Sequence, residues 1–132
     1  MTPEAIESAM RMAIDQADAV KGTTYPNPPV GAVILDRDGD VAGVGGTQPP
    51  GEAHAEVMAL RRAGTRAAGG TAVVTLEPCN HQGRTGPCVD ALLDAGVAAV
   101  VFAVADPNPV AAGGAQRLTD AGVTVSSGVL AD

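Results

Sequence analysis

The spacing of hydrophobic residues changes along the chain, and each change predicts a new element. From Ile6 to Ala17 they recur at every third or fourth position, which predicts an amphipathic helix with Thr2 as its N-cap and Pro3 as its first residue. Two short apolar runs follow, at 29–35 and 40–45. The Asp-Arg-Asp-Gly sequence between them predicts a β-hairpin.

The rest of the chain alternates predicted helices and strands. A helix is expected within AHAEVMALRRAG, ending at Gly64, followed by a strand at 71–76 and a second helix within GPCVDALLDAG. The run at 97–106 is almost continuously apolar, as expected of a strand that is buried on both faces. A short helix at 114–121 and a last strand within VTVSSGVL complete the order.

These elements predict an α/β protein. About five strands are expected to form one mixed sheet with helices on both faces, a three-layer α/β/α sandwich. A chain of 132 residues, 45% of them hydrophobic, supports one domain with a modest core.

Charge and aromatic content narrow the range of partners. The formal net charge of −7 disfavours a polyanionic partner. One tyrosine and one phenylalanine are too few to stack successive bases of a single strand. Arg61, Arg62 and Arg66 form a weak basic group, for which a solvated helix face is the expected role. We therefore predict a small-molecule substrate and no nucleic acid.

The apolar and charged segments also predict a location. The longest apolar run, 97–105, is too short to span a bilayer, so no membrane association is expected. The N-terminal sequence MTPEAIESAM has two acids and no basic cluster, unlike a secretory signal. A cytoplasmic location is therefore predicted.

Both cysteines lie in one segment, TLEPCNHQGRTGPC, which runs on from the predicted strand 71–76. Ligands of α/β sheets bind beyond the carboxyl ends of strands. Together with His54, Cys79 and Cys88 supply the three protein ligands of an open catalytic zinc site. Glu56, two residues after His54, suits the general base that acts on water. The sequence thus predicts a Zn²⁺ cofactor with Glu56 as the catalytic residue.

Two other interpretations of the cysteines stay open. Cys79 and Cys88 could form a disulfide, although a chain without a secretion signal disfavours it. With His81 as a fourth ligand they could instead close a structural zinc site. That site would use ligands only two residues apart, Cys79 and His81, and would leave Glu56 without a role.

The cysteine spacing points to a particular family. HAE followed by PC matches the zinc nucleobase deaminase signature, but eight residues separate the cysteines here instead of two. With this variant, four motifs resemble the deaminase domain of the bifunctional riboflavin-biosynthesis deaminase/reductase, in the cytidine deaminase-like superfamily. The motifs are TTYPNPPVGAVI, HAEVMALRRAG, TLEPCNHQGRTGPC and VVFAVADPNP, and the resemblance covers nearly the whole chain.

The resemblance implies a cytidine deaminase-like fold, with residues 1–132 as a single zinc-dependent deaminase domain. It implies hydrolytic deamination of 2,5-diamino-6-ribosylamino-4(3H)-pyrimidinone 5′-phosphate with release of ammonia. The zinc ligands and the proton-carrying Glu56 would be those named above.

The resemblance also implies five substrate contacts. Asn27 would hydrogen-bond the base or ribose, Asp106 and Asn108 would line the same pocket, and His81 and Arg84 would reach the ribose and phosphate. A cation suits a phosphate, and Arg84 is the only full positive charge in the segment 75–88.

Local patterns offer structural alternatives for these contacts. Asn27 and Asn108 stand between prolines, where asparagine is a common turn residue. Asp106 ends a predicted strand and could cap a turn, and Arg84 could face solvent. Only the resemblance favours contact with substrate.

Departures from the family keep other functions open. Thr47 stands where many members have a histidine, Gly86 precedes Pro87 in place of the more usual proline, and a reductase domain is absent from residues 1–132. A cytidine or tRNA-adenosine deaminase and a catalytically silent, zinc-stabilised interaction domain are the alternatives. A homo-oligomer and a separate or removed reductase domain also stay open.

Overall fold

A computed structural model of the chain describes residues 3–19, 30–46, 55–76, 88–104 and 114–127. Its elements follow the predicted order. Along the chain they are α1 (Pro3–Ala19), β1 (Gly31–Leu35), β2 (Val41–Gly46), α2 (Ala55–Ala63), the 3₁₀ helix η1 (Gly64–Ala67), β3 (Thr71–Leu76), α3 (Cys88–Ala95), β4 (Ala99–Val104), α4 (Gly114–Asp120) and β5 (Thr124–Ser127).

The five strands form one mixed sheet in the order β2-β1-β3-β4-β5. β1 is antiparallel to both of its neighbours, β2 and β3, whereas β3, β4 and β5 are parallel to one another. In the described sheet β1 therefore runs against the other four strands. The predicted hairpin and the predicted mixed sheet are both confirmed.

One face of the sheet is covered by α1. Met10 and Ala13, from the predicted apolar stripe, pack in a buried cluster with Val33 and Val73. The helix approaches β1 so closely that a Cβ on Gly31 would overlap the carbonyl oxygen of Ala13. Glycine is needed here for space, because a side chain would hold the two backbones apart.

The opposite face is covered by the other helices. Alternate residues of β1 and β3, Ala32, Ile34, Ala72 and Val74, form a buried cluster with Ala59 of α2 and with residues of the α3 and α4 segments. Successive strand residues point to opposite sides of a sheet, so both faces are filled. The three-layer α/β/α sandwich is confirmed.

The strand β4 is buried on both faces, as its apolar run predicts. Val100 packs on the α2 side and Val101 on the α1 side, and both are at most 4% exposed. Its ladder begins at Ala99, two residues later than predicted. Val97 is buried but lies before the strand. Its apolar side chain therefore indicates burial in the core and not hydrogen bonding to a neighbouring strand.

Short connections lead from the helical segments into β3, β4 and β5. Gly96 ends α3 with a φ of 77°, a left-handed conformation that favours glycine. Its N–H donates to the carbonyl of Leu93 at 3.1 Å, and its own carbonyl accepts the N–H of Gly69 at 2.8 Å. Gly64 ends α2 in the same left-handed region, as predicted, although the chain continues into η1.

Candidate active site

The segments that carry the predicted site residues attach at one edge of the sheet. β2, β3 and β4 point the same way, so their last residues, Gly46, Leu76 and Val104, lie at a common edge. Gly31, the first residue of the reversed strand β1, pairs with Gly46 and lies there too. We call this the carboxyl edge and its opposite the amino edge. Four segments join strands at this edge. Segment 20–29 precedes β1, and segments 47–54, 77–87 and 105–113 follow β2, β3 and β4.

A side-chain hydrogen bond joins two strands at the carboxyl edge. Just beyond the last paired residues of the β1–β3 ladder, Oγ1 of Thr75 accepts the N–H of Gly31 at 3.2 Å. This bond ties the start of β1 to the end of β3. It therefore fixes the points at which the segments 20–29 and 77–87 join the sheet.

Glu56 lies in the first turn of α2, and only 4% of its surface is exposed. The last turn of α2 leads through η1 to the start of β3, so the first turn lies toward the carboxyl edge. The N-terminal end of a helix dipole favours a negative charge there. Glu56 is the one charged residue in the described part of the chain that is classed as buried. Glutamate is seldom fully buried unless it has a partner.

Cys88 is the first residue of α3. The helix ends at Ala95, three residues before Ala98 donates its N–H to Gly70 at the amino edge. Eight helical residues span about 12 Å, so Cys88 begins its helix toward the carboxyl edge. The backbone of this predicted zinc ligand therefore lies toward that edge, whereas its side chain lies outside what the structure describes.

The remaining predicted site residues fall outside the described ranges. They are His54, Cys79, Asn27, His81, Arg84, Asp106 and Asn108. Their roles, and the alternatives of a disulfide or a closed structural site, stay predictions. Within the described ranges there is no group of three or more histidine, cysteine, aspartate or glutamate residues that could hold a metal ion.

The predicted ligand set fits zinc by its donor chemistry. One imidazole and two thiolates are the donors that catalytic zinc sites use, with a fourth position left for water. Glu56 and the start of α3 at Cys88 lie toward the carboxyl edge, and His54 and Cys79 stand in segments that join the sheet there. The residues present are thus compatible with Zn²⁺.

The arginines near α2 are exposed, as predicted for a solvated face, but two of them have specific partners. Arg62 donates from Nη1 to the carbonyl oxygen of Val44 at 2.6 Å. Arg66 lies in η1 and forms an ion pair with Asp36 at 2.9 Å. Both arginines therefore hold the helical segment to the β1–β2 hairpin, a role that the charge pattern alone did not reveal.

The carboxylate of Asp36 accepts three hydrogen bonds at the amino edge. The hydrogen bond from Arg66 lowers the pKa of this carboxyl below its ordinary value, and the N–H groups of Asp40 and Asp38 lower it further, outweighing the opposing effect of burial. Both N–H groups lie 3.0 Å from Oδ1. Asp36 is thus a structural carboxylate at the opposite edge of the sheet from Glu56.

The sequence patterns did not identify Arg62, which holds the last turn of α2, or two residues that support the carboxyl edge, Thr75 and Gly45. The last had a readable signal, because VAGVGG places Gly43 and Gly45 two residues apart on a predicted strand. Glycines on one face of a strand often mark a close approach of another backbone. The partners of Thr75 and Arg62 are distant in sequence and left no such signal.

Comparison with known proteins places the chain among deaminases. A family model described as the cytidine and deoxycytidylate deaminase zinc-binding region matches residues 3–104. The riboflavin biosynthesis protein RibD of Mycobacterium tuberculosis is 61% identical over 129 residues, which make up 98% of this chain and 38% of that protein. The chain thus spans well under half the length of this relative. The predicted resemblance to riboflavin-biosynthesis deaminases is confirmed.

Solved structures agree with the fold. RibD of Acinetobacter baumannii matches with a TM-score of 0.93 and 48% identity, over 98% of this chain and 36% of that one. The dCMP deaminase of the cyanophage S-TIM5 matches with a TM-score of 0.73 over 96% of this chain and 99% of that one. At 23% identity the second likeness shows the fold alone. The predicted cytidine deaminase-like fold is confirmed.

Among the described helices, none is both long and apolar enough to cross a bilayer.

Proposed function

Because the chain belongs to the cytidine and deoxycytidylate deaminase family, we propose that it hydrolytically deaminates 2,5-diamino-6-ribosylamino-4(3H)-pyrimidinone 5′-phosphate. The identity to a riboflavin biosynthesis protein supports this substrate. The structural observation that carries the proposal is the burial of Glu56 in the first turn of α2, toward the edge where the motif segments attach.

The proposed cofactor is Zn²⁺, held by His54, Cys79 and Cys88. When bound, the metal supplies Lewis-acid activation of water near neutral pH. The ligands must be a neutral imidazole and two thiolates. A reducing compartment such as the cytoplasm, our proposed location, keeps both cysteines available.

Glu56 is proposed to carry protons. Its carboxylate takes a proton from the attacking water, whose oxygen bonds to the amino-bearing ring carbon. Glu56 passes this proton to the ring nitrogen, then takes the second proton from the hydroxyl now bonded to the ring carbon and gives it to the amine. The carbon–nitrogen bond breaks and ammonia leaves, so water is consumed and a ring carbonyl remains.

The other proposed residues bind the substrate. Asn27, Asp106 and Asn108 would contact the base and ribose, and His81 and Arg84 would contact the ribose and its phosphate. A guanidinium pairs well with a phosphate. Arg84 would therefore distinguish a ribotide from a plain nucleoside.

Residues 1–132 are proposed to form one deaminase domain. The reduction that the resemblance associates with this family would then be catalysed by another domain or protein. The deaminated product is the compound that such a reductase would receive.

The test is ammonia release by the zinc-loaded protein from three substrates. These are the pyrimidine ribotide, cytidine, and an anticodon-loop RNA that contains adenosine. We expect activity on the ribotide and little on the other two. Zinc content is measured on the same sample, and E56Q serves as the inactive control.

Each alternative gives a different result in this assay. Faster deamination of cytidine would reject the riboflavin substrate but keep the chemistry. Faster deamination of the RNA would indicate a tRNA-adenosine deaminase. A zinc-loaded protein that deaminates none of the three would support the silent interaction domain and contradict the proposed enzyme.

A further inference from the structure

Two glycines of β2 lie directly beneath α2. Gly43 and Gly45 pair with Ile34 and Ala32 of β1, so both face the α2 side of the sheet. Both are buried. Neither has a positive φ, so the backbone conformation does not require glycine at these positions. The requirement is for space.

The two glycines support different turns of the helix. A Cβ on Gly45 would lie 2.6 Å from the carbonyl oxygen of Ala55, 2.7 Å from the nitrogen of Ala59 and 2.8 Å from Cβ of Met58. A Cβ on Gly43 would overlap the carbonyl oxygen of Ala59 and lie 2.7 Å from the nitrogen of Ala63. Gly45 thus lies under the first turn of α2, and Gly43 lies under its last turn.

The contacts at Gly45 are mainly with backbone atoms, which cannot move aside as a flexible side chain can. Ala55 directly precedes Glu56 and directly follows His54. Any side chain at position 45 must therefore raise the turn that holds the proposed proton carrier. The same shift would act on the residue that precedes the turn, a proposed zinc ligand.

The last turn of α2 has its own attachment. Arg62 donates to the carbonyl oxygen of Val44 at 2.6 Å, and η1 continues directly from the helix into the connection to β3. With the last turn held in this way, pressure at Gly45 tilts the first turn away from the sheet rather than moving the helix as a whole. The displacement is then greatest near Glu56.

We propose that Gly45 is a positioning residue for the deamination, since its missing side chain sets how deeply the first turn of α2, with Glu56, is seated against β2. This inference rests on the proposed function, because it assigns Glu56 to the reaction. Gly45 acts through the helix and does not itself contact the substrate. Displacing a catalytic group by about 1 Å can cost on the order of 100-fold in rate.

The experiment compares G45A with G43A and R62M, all as zinc-loaded chains of residues 1–132. G43A is the matched control, because it adds the same methyl group under the same helix one turn farther from Glu56. R62M removes the attachment of the last turn and leaves both glycines in place. Activity is expressed per bound zinc, at a temperature at which circular dichroism shows every variant fully folded.

We expect kcat for the ribotide to fall by about 10- to 100-fold in G45A with KM nearly unchanged, because Glu56 is displaced from the reacting atoms. G43A and R62M should melt at lower temperatures but keep kcat within about threefold of wild type. An equal loss of kcat in G43A would reduce Gly45 to a packing residue and overturn the proposal. So would an unchanged kcat in G45A.

A second measurement separates this inference from the proposed function. Zinc affinity, measured by competition with a chelator, needs no turnover. If wild type releases no ammonia from the ribotide, the proposed function fails, and affinity then decides the role of Gly45. A weaker zinc affinity in G45A alone would support the positioning role of Gly45, whereas equal zinc affinities in all variants would overturn that role.

If G45A does not fold, a loss of kcat of more than tenfold in G43A or R62M would overturn the proposal.

Discussion

The two edges of the sheet are built in different ways. At the amino edge, connections of three to five residues, such as 36–40, 68–70, 96–98 and 121–123, are closed by backbone hydrogen bonds. At the carboxyl edge the segments between described elements have eight to eleven residues and contain the predicted zinc and substrate residues other than Glu56 and Cys88. Particular residues position the elements at which these segments begin and end. Oγ1 of Thr75 binds the start of β1, and Gly45, which has no side chain, lets the first turn of α2 approach β2.

The difference between the two edges indicates that the amino edge stabilises the fold and that the carboxyl edge carries the proposed reaction. A carboxylate is present at each edge, and its surroundings decide its role. Asp36 is satisfied by an arginine and two N–H groups within its own turn region, and it serves the hairpin. Glu56 is buried in the first turn of α2, toward the edge where the segments that carry the predicted ligands join the sheet. Changes at the amino edge should therefore alter melting, and changes at the carboxyl edge should alter the reaction.

The largest expected effect comes from exchanging each carboxylate for its amide. E56Q should lower kcat by about 10²- to 10⁴-fold, because the amide cannot accept and pass protons. The measurement is steady-state ammonia release from the ribotide at equal zinc content. D36N, the matched change at the amino edge, should keep kcat within about twofold. If D36N lost as much activity as E56Q, the division between the two edges would be wrong.

A smaller effect is expected from backbone strain at the amino edge. G96A should lower the free energy of unfolding by about 1–2 kcal/mol, because alanine disfavours the left-handed φ of 77°. Its Cβ would otherwise meet Ala68 at an ordinary distance of 3.8 Å. Urea denaturation measures the loss, and D94A, an exposed neighbour, should change stability by less than about 0.5 kcal/mol. An unchanged stability in G96A would show that the turn relaxes freely.

The hydrogen bond at Thr75 tests the carboxyl edge. T75V should lower stability by about 1 kcal/mol, because the N–H of Gly31 loses its acceptor. Since this bond sets where two motif segments join the sheet, kcat/KM should also fall several-fold. T124V, an exposed change at the amino edge of β5, serves as control. Loss of stability in T75V without any change in kcat/KM would limit this bond to a structural role.

The smallest effect concerns pH. The pKa of Asp36 is lowered in the folded protein by Arg66 and two N–H groups, so its ionised form stabilises the fold. That contribution is fully present above the ordinary aspartate pKa of about 4 and is lost as the pH falls through the lowered value. The Tm of wild type should exceed that of D36N at neutral pH, and the gap should narrow below about pH 4. A gap that widens on acidification would contradict the assignment.

Local patterns predicted most of the elements because helices and strands have short periods. The apolar stripe of α1 recurs within four residues, and the hairpin turn has its own residue types. The boundaries of β4 were less accurate, since burial and strand pairing leave the same apolar pattern at Val97. Glu56 could be proposed from HAE because a chemical motif is also local.

The contacts that position these residues could not be predicted in the same way. Thr75 and Gly31 are 44 residues apart, and Arg66 and Asp36 are 30 apart. No period in the sequence spans such separations. The charge pattern could mark Arg62 and Arg66 as exposed, but not that each would bind the hairpin.

By itself the sequence determined the kinds of elements, their order and the set of groups available for zinc chemistry, because these depend on neighbouring residues and on side-chain type. Only the tertiary structure decided that β1 runs against β3 as well as against β2, that the motif segments attach at one edge, and that Glu56 is buried there. The strand order and the fit of α2 onto Gly43 and Gly45 arise when distant segments pack. Packing depends on shape and space in three dimensions, which residue spacing along the chain does not record.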